Sequence, residues 1–193
     1  MNEENLKHIE QLVREILIEI GEDPDREGLI ETPKRVAKSL QEITASTTKE
    51  EFTEGKMFPT ETTGNDQLVS VNNIPFYSMC EHHMLPFFGT VNVGYLPQNG
   101  QIIGLSKIPR LVDYVSKKLN VQENITREVA DILMEITDAK GVAVVVDARH
   151  MCVEMRGVAK NNSVTRTTYF LGAFNEDTQL RTEFLQTLPK VGF

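Results

Sequence analysis

The chain has 193 residues, of which 40% are apolar and 25% are charged, as in ordinary soluble globular proteins. Its net charge of −8 argues against a general nucleic-acid or anionic-membrane binder, because either would need a basic surface. No apolar run approaches the roughly 20 residues of a membrane helix, and the acidic N-terminus is unlike a signal peptide. We therefore expect a cytoplasmic protein whose two cysteines are reduced thiols.

The first 65 residues are predicted to form an N-terminal helical region and a connection. Apolar residues recur at helical spacing over 5–20, and Thr32 followed by Pro33 is typical of a second helix start. Residues 44–66 are rich in Thr, Ser, Glu and Gly, which indicates a connecting segment.

Residues 66–193 are predicted to form a second domain that contains most of the strands. The order strand-strand-helix-helix-strand-strand favours an α+β fold with an antiparallel sheet over alternating β-α units. The predicted elements are a strand near 69–71, a strand over 88–96, a hairpin turn at Gln98-Asn99-Gly100, a helix capped by Ser106, a helix over 125–136, an extended run over 141–157, a strand over 163–172 and a short helix near 177–188.

Cysteine and histidine are clustered in two distant segments. His82 and His83 follow Cys80 by two and three residues, and His150 precedes Cys152 by two. A Cys-x-x-His spacing can place a thiolate and an imidazole on one metal ion through a turn. Two buried, inert cysteines with satisfied histidines are the alternative, which becomes less attractive when both clusters are considered together.

The second cluster is predicted to lie on a strand. Residues of equal parity point to one face of a strand, so His150 and Cys152 would share a face with Glu154 and Arg156. Arg149 has the opposite parity and is expected to face away from the metal.

The number of ligands distinguishes two kinds of zinc site. A structural site uses four protein ligands, whereas a catalytic site uses three and leaves one position for water. For a catalytic site, the first choices are Cys80, His83 and Cys152. His82 and His150 would then be free for proton transfer beside the metal.

Neither a P-loop nor a Gly-x-Gly-x-x-Gly fingerprint is present in the sequence. A nucleotide, if bound, would have to be held by a different kind of binding motif. Lys107 and Arg110 lie at a predicted helix start and Arg156 follows Cys152, so these cations are candidates for an anion site, although solvated surface charges are commoner.

Several ordered motifs resemble the GTP cyclohydrolase I family, and the resemblance covers nearly the whole chain. The motifs are Thr32-Pro33-x-Arg35, Ser78-Met79-Cys80-Glu81-His82-His83 with Pro86-Phe87, Gly94-Tyr95-Leu96-Pro97, Ile103-Gly104-Leu105-Ser106-Lys107, Val121-Gln122-Glu123, His150-Met151-Cys152 and Arg156-Gly157-Val158.

The resemblance implies a tunnelling fold, with a four-stranded antiparallel sheet backed by two helices. It implies a homodecamer of two face-to-face pentamers with active sites at subunit junctions. The implied reaction converts GTP and water into formate and 7,8-dihydroneopterin triphosphate, the start of folate or biopterin synthesis. The implied cofactor is Zn²⁺, which would activate a water for attack on C8 of guanine.

The resemblance also implies roles for individual residues. It assigns the zinc ligands to the same trio that the spacing favours. His150 would protonate a ring nitrogen, and His82 and Ser106 are candidates for later proton transfers. Glu123, assisted by Gln122, would recognise guanine, because a carboxylate accepts from the donors on N1 and N2. The implied triphosphate ligands are Arg35, Lys38, Lys107, Arg110 and Arg156, with Arg35 reaching the site of a neighbouring subunit.

Three positions depart from the family pattern. Asn92 stands where many relatives have His, Arg149 stands where a smaller uncharged residue is common, and Pro109 follows Ile108 at a helix start.

Two other hypotheses about the function remain: a different tunnelling-fold pterin or purine enzyme, and a catalytically silent GTP-binding regulator with structural zinc. The Cys-x-x-His set with a distant Cys disfavours the first, and the intact His82 and His150 disfavour the second.

Overall fold

The structure is a computed structural model of the chain, and residues 1–60 and 67–190 are described. The chain divides into two compact units, Met1–Ala45 and Ser46–Phe193. The domain boundary predicted after residue 65 lies outside the described residues. Among the helices described, none has the length and apolar character needed to cross a membrane.

The first unit is a pair of helices, α1 (Glu3–Glu19) and α2 (Thr32–Ile43). The Asn2 side chain caps α1 by accepting a hydrogen bond from the backbone N–H of Asn5 at 2.8 Å. Gly21 follows α1 with a φ of 89°, a left-handed conformation that suits glycine and ends the helix. Both predicted N-terminal helices are therefore present.

The second unit is built on one large sheet. Its strand order is β5-β2-β3-β6-β7, and every pairing is antiparallel except the parallel pair of β5 with β2. The elements in chain order are β1 (Met57–Pro59), β2 (Val69–Cys80), β3 (Pro86–Leu96), β4 (Gln101–Ile103), α3 (Lys107–Ser116), β5 (Leu119–Asn120), α4 (Gln122–Thr137), β6 (Gly141–His150), α5 (Met151–Glu154), β7 (Thr165–Gly172), α6 (Ala173–Glu176) and α7 (Thr178–Thr187).

Both faces of the central strand β6 are covered, which explains why its sequence is an almost continuous apolar run. Alternate residues such as Val144 and Val146 join the main core with apolar residues of α3 and α4. The intervening Ala143 and Val145 pack with Phe174 and Phe184 in a second cluster. The prediction of a mixed α+β fold with an antiparallel sheet is confirmed.

The turn after β3 shows where sequence patterns were incomplete. Asn99 and Gly100 have φ values of 55° and 67°, as the predicted tight turn requires. The strand that follows, β4, pairs with β1 rather than β3, and β1 lies within the predicted connection. Strand β5 was not predicted either, because it is only two residues long.

The extended run predicted over 141–157 is interrupted. Strand β6 ends at His150, and the one-turn helix α5 begins at the next residue. The expectation that Glu154 and Arg156 share a strand face with His150 and Cys152 is therefore wrong, because strand parity does not apply beyond residue 150.

One departure from the family pattern has a local structural role. The pairing of β2 with β3 is irregular between Val71 and Ile74, and Asn73 there has a φ of 56°. The buried Asn92 side chain on β3 accepts a hydrogen bond from the backbone N–H of Asn73 at 2.9 Å. Asn92 thus satisfies a backbone donor that the bulge leaves without a ladder partner.

Candidate active site

A tight turn between β2 and β3 carries two of the predicted metal ligands. The backbone N–H of Cys80 donates to the Leu85 carbonyl at 2.9 Å, and the N–H of Met84 donates back to the Cys80 carbonyl at 2.8 Å. Met84 adopts a left-handed φ of 52°, which reverses the chain. This hydrogen-bonded turn fixes the short separation between Cys80 and His83.

The third predicted ligand arrives from the other side of β3. Strand β3 lies between β2 and β6, and α5 follows directly from β6. Cys152 on α5 is thereby brought to the turn: the ligand atoms of Cys80, His83 and Cys152 all lie within 4.8 Å of one another. The sheet, and not sequence proximity, completes the trio.

The chemistry of this trio fits a metal ion. Both cysteines are free thiols, and the spacing suits one ion with bonds of about 2.0–2.3 Å. Burial raises the pKa of the Cys152 thiol, as does the neighbouring Cys80 thiol, while Arg156 opposes the change. The Cys152 thiol thus resists ionisation, and a bound cation would favour its thiolate form.

His150, at the end of β6, is held on two sides. Its ring stacks on the buried Phe87 ring with centroids 4.9 Å apart and planes 4° from parallel. Its Nε2 atom lies 2.8 Å from Oε1 of Gln122, the first residue of α4. One ring face and one ring nitrogen are therefore occupied by protein.

The hydrogen bonds of Gln122 determine which ring nitrogen of His150 carries the hydrogen. The buried Gln122 amide nitrogen donates to the carbonyls of Val146 and Thr165, both at 2.9 Å, and also contacts Thr167 Oγ1 at 3.1 Å. Because carbonyls only accept, this orientation leaves the amide oxygen facing His150. The imidazole must then donate from Nε2, so that Nδ1 is the acceptor nitrogen of the neutral ring.

Two acidic residues act on His150 electrostatically. Burial lowers the pKa of the His150 imidazole, and the carboxylates of Glu123 and Glu154 oppose that shift. Glu123 is exposed in the first turn of α4 and lines an open cleft of about 350 Å³ together with Asn124, Thr126, Arg127, Thr167, Thr168 and Tyr169. Glu123 therefore lies where a ligand in the cleft would meet a carboxylate.

The other proposed catalytic groups are more exposed. His82 is 65% exposed, and its Nδ1 lies 3.7 Å from the Cys80 sulfur, so it borders the metal trio. Ser106 is an exposed residue at the N-cap position of α3, but its side chain forms no capping hydrogen bond. Neither group is committed to a structural role by these contacts.

The predicted phosphate ligands lie in both units. In the second unit, Lys107 is partly buried, Arg156 is exposed, and Arg110 pairs with Glu54, whose pKa it lowers. In the first unit, Arg35 and Lys38 are exposed on α2, where Arg35 pairs with Glu31. The three residues Lys107, Arg110 and Ser106 occupy the start of α3, as the sequence predicted.

Three features of the site were not predicted from the sequence. Phe87 was noted only as part of a motif, and its stacking on His150 depends on their pairing across β3 and β6. Gln122 was assigned to the substrate, yet its amide bonds to the protein. Arg149 forms a bidentate ion pair with Glu154, which no spacing argument indicated.

The fold and the site together define an α+β protein with a candidate three-residue Cys-His-Cys metal site beside a positioned histidine. The GTP cyclohydrolase I family model matches residues 9–189. The chain belongs to the GTP cyclohydrolase I family.

Individual relatives agree with this assignment. GTP cyclohydrolase 1 of Latilactobacillus sakei is 60% identical over 188 residues, covering 97% of this chain and 100% of the relative. That of Lactiplantibacillus plantarum is 52% identical over 190 residues, with 98% and 100% coverage. The bifunctional protein FolKE of Lactococcus lactis subsp. lactis is 60% identical over 180 residues, or 93% of this chain. The chain spans only 52% of the length of that relative.

A solved structure, the archaeosine synthase QueF-Like in the apo form, has a TM-score of 0.47 and 14% sequence identity to this chain. The similarity covers 57% of this chain and 98% of that one.

Proposed function

We propose that the protein is a zinc-dependent GTP cyclohydrolase, which converts GTP and water into formate and 7,8-dihydroneopterin triphosphate. The observation that carries this proposal is the convergence of Cys80, His83 and Cys152, the last of which follows His150 by two residues, in a chain that the family model matches almost throughout. Two thiolates and one imidazole are a ligand set that suits zinc.

Three protein ligands leave a position open, as catalytic zinc sites require. When bound by Cys80, His83 and Cys152, zinc would serve as a Lewis acid that activates water for attack on C8 of guanine. The contribution of the chain is to hold these ligands on rigid elements, two on a hydrogen-bonded turn and one beyond β6.

His150 is proposed to take up a second proton at Nδ1 from solvent and then, as the imidazolium, to donate that proton from Nδ1 to a ring nitrogen of guanine as negative charge develops there. The Gln122 amide engages Nε2 and Phe87 covers one ring face, so Nδ1 is the nitrogen that these contacts leave for the substrate. Gln122 is therefore proposed as a positioning residue for His150. His82 and Ser106 are proposed to serve the later proton transfers.

Glu123 is proposed to recognise guanine. Its carboxylate is exposed at the edge of the α4–β7 cleft, and an ionised carboxylate only accepts hydrogen bonds. Guanine presents paired donors on N1 and N2, whereas adenine presents an acceptor at N1. A carboxylate at this point thus favours GTP over ATP.

The triphosphate is proposed to bind the cations at the start of α3 and beyond α5. Lys107, Arg110 and Arg156 would serve from one chain, with Arg35 and Lys38 from a neighbouring chain. Arg110 and Arg35 each pair with an exposed glutamate, so a triphosphate with its higher charge can compete for their guanidinium groups.

We also propose the tunnelling fold and the homodecamer of two pentamers with shared active sites. The observed succession β2-β3-α3-α4-β6-β7 supports the fold, and membership of the family supports the assembly. A cytoplasmic location is proposed because two adjacent thiols that serve as ligands must stay reduced.

A product assay tests the proposed activity. Zinc-loaded protein is incubated with GTP, the mixture is oxidised, and neopterin fluorescence and released formate are measured, with ATP as the control substrate. We expect equal amounts of the two products from GTP and neither from ATP. Absence of product from the zinc-loaded protein would overturn the proposal.

Glu123→Ala is expected to lower kcat/KM for GTP by about 10- to 100-fold, because hydrogen bonds to a charged group contribute roughly 1.5–3 kcal/mol. Zinc content should not change, since the trio does not include Glu123. Glu135→Ala is the matched control, because Glu135 is an exposed glutamate on the same helix. Equal losses in the two variants would remove Glu123 from substrate recognition.

A further inference from the structure

Helix α5, which carries Cys152, has little intrinsic stability. It spans only Met151–Glu154, and no side chain caps its N-terminus. None of its residues is fully buried. A single helical turn fixes several dihedral angles for few hydrogen bonds, so such a segment needs outside contacts to keep one conformation.

An ion pair supplies such a contact. The Arg149 Nε–H donates to Glu154 Oε1 at 2.8 Å, and the Arg149 Nη2 group donates to the other carboxylate oxygen. The Glu154 side chain is only 6% exposed and that of Arg149 27%, so water screens this pair less than a surface pair. Bidentate geometry also restricts the angle between the partners.

The two partners lie on opposite sides of the metal ligand in the chain. Arg149 belongs to β6 and is paired across the sheet with Phe88, so its backbone is anchored by the strand ladder. Glu154 is the last residue of α5. The pair therefore closes a short loop of chain that contains both His150 and Cys152.

We propose that the Arg149–Glu154 pair is a clamp that fixes Cys152 against the Cys80–His83 turn and thereby strengthens binding of the metal. Neither residue is a ligand: the ligand group found among the described residues contains only the two cysteines and His83. Outer partners that orient a ligand typically change metal affinity by about 10- to 100-fold. The inference rests on the zinc site proposed above.

A second ion pair in the same sheet provides a matched control. Arg166 on β7 donates to both oxygens of the Asp147 carboxylate on β6, at 2.7 and 2.9 Å, and the Asp147 side chain is 3% exposed. This pair resembles the clamp in chemistry and burial. Cys152 also lies between its members in the chain, but both members belong to the paired strands β6 and β7, and neither belongs to α5, the helix that carries Cys152. A variant of this control pair therefore shows whether loss of a buried ion pair in the sheet lowers zinc affinity merely by destabilising the protein.

The experiment measures zinc in the full-length assembled protein. Chelator competition gives the zinc affinity of the wild-type protein and of the variants Glu154→Gln, Arg149→Ala and Arg149→Lys. We expect both Glu154→Gln and Arg149→Ala to weaken zinc binding by about 10- to 100-fold, with a smaller loss for Arg149→Lys. Asp147→Asn should bind zinc like the wild type even where it lowers the unfolding temperature.

Cobalt substitution adds a spectroscopic readout. The Co²⁺ form of Glu154→Gln should show a weaker thiolate charge-transfer band, because one of its two thiolates is less well placed. If Glu154→Gln does not fold, the Arg149 variants carry the test alone, since Arg149 is partly exposed.

The outcomes distinguish the clamp from the site itself. Wild-type zinc affinity in Glu154→Gln and Arg149→Ala, or an equal loss in Asp147→Asn, would overturn the clamp while leaving the zinc site in place. Failure of the wild-type protein to bind zinc would overturn the site.

Discussion

Cys152→Ala is expected to abolish tight zinc binding and to reduce turnover by at least about 10³-fold. Cys152 is the one member of the trio that comes from outside the β2–β3 turn, so its removal leaves only Cys80 and His83. Two ligands cannot complete a three-ligand site. A loss of about 10³-fold corresponds to roughly 4 kcal/mol, which is within the stabilisation that a Lewis acid contributes.

The measurement pairs metal content with turnover in the same purified sample. Zinc is determined by elemental analysis after gel filtration, and neopterin formation is followed by fluorescence. Met155→Ala is the control: it removes another sulfur-containing side chain close to Cys152, but one that is 66% exposed and outside the trio. A Cys152→Ala enzyme that kept full activity while free of zinc would refute the metal-dependent mechanism.

His150→Ala is expected to reduce turnover without any loss of bound zinc. Zinc content should remain at the wild-type level, because His150 is not part of the trio. Turnover should fall by about 10²- to 10⁴-fold, the usual contribution of a positioned acid or base. The loss should appear in kcat more than in KM, since the proton transfer occurs only in the transition state.

Two further variants sharpen this test. His8→Ala removes an exposed histidine of the first unit and should leave kcat unchanged. Gln122→Met removes the bond to His150 Nε2 while keeping a side chain of similar length, and it should lower kcat with zinc retained. Wild-type turnover in His150→Ala would show that another group supplies the proton.

The local part of the candidate site was accessible from the sequence. The spacing of Cys80 and His83 is a property of a short turn, and such a turn needs only the intervening residues to form. The choice of Cys152 as the third ligand rested on the clustering of cysteine and histidine in two segments, and the family resemblance implied the same residue. The structure places its ligand atom within 4.8 Å of the other two. Assignment of the roles stays a prediction.

The long-range part of the site could not be obtained in that way. The contact between Gln122 and His150 joins the start of α4 to the end of β6, and it depends on how the helix packs over the sheet. The ion pair of Arg149 with Glu154 depends on where β6 stops. Strand periodicity predicted that Arg149 would face away from the metal, but it gave no sign that the strand ends one residue later.

The fold likewise has local features that could be predicted from the sequence and long-range features that could not. The main strands and the two backing helices follow from hydrophobic periodicity, which acts over a few residues. The pairing of β1 with β4 joins distant, three-residue segments whose composition carries almost no signal. Short strands of this kind are defined by the sheet partner they find rather than by their own side chains.

The separation of the ligands along the chain has a consequence for synthesis. Cys80 and His83 leave the ribosome early, whereas Cys152 follows only after β3, two helices and all of β6 have been made. A nascent or truncated chain that stops within β6 therefore offers an ion only two of the three protein ligands. Secure capture of zinc would then be a late event, and a chain that retains the ion would be one whose central strands have already assembled.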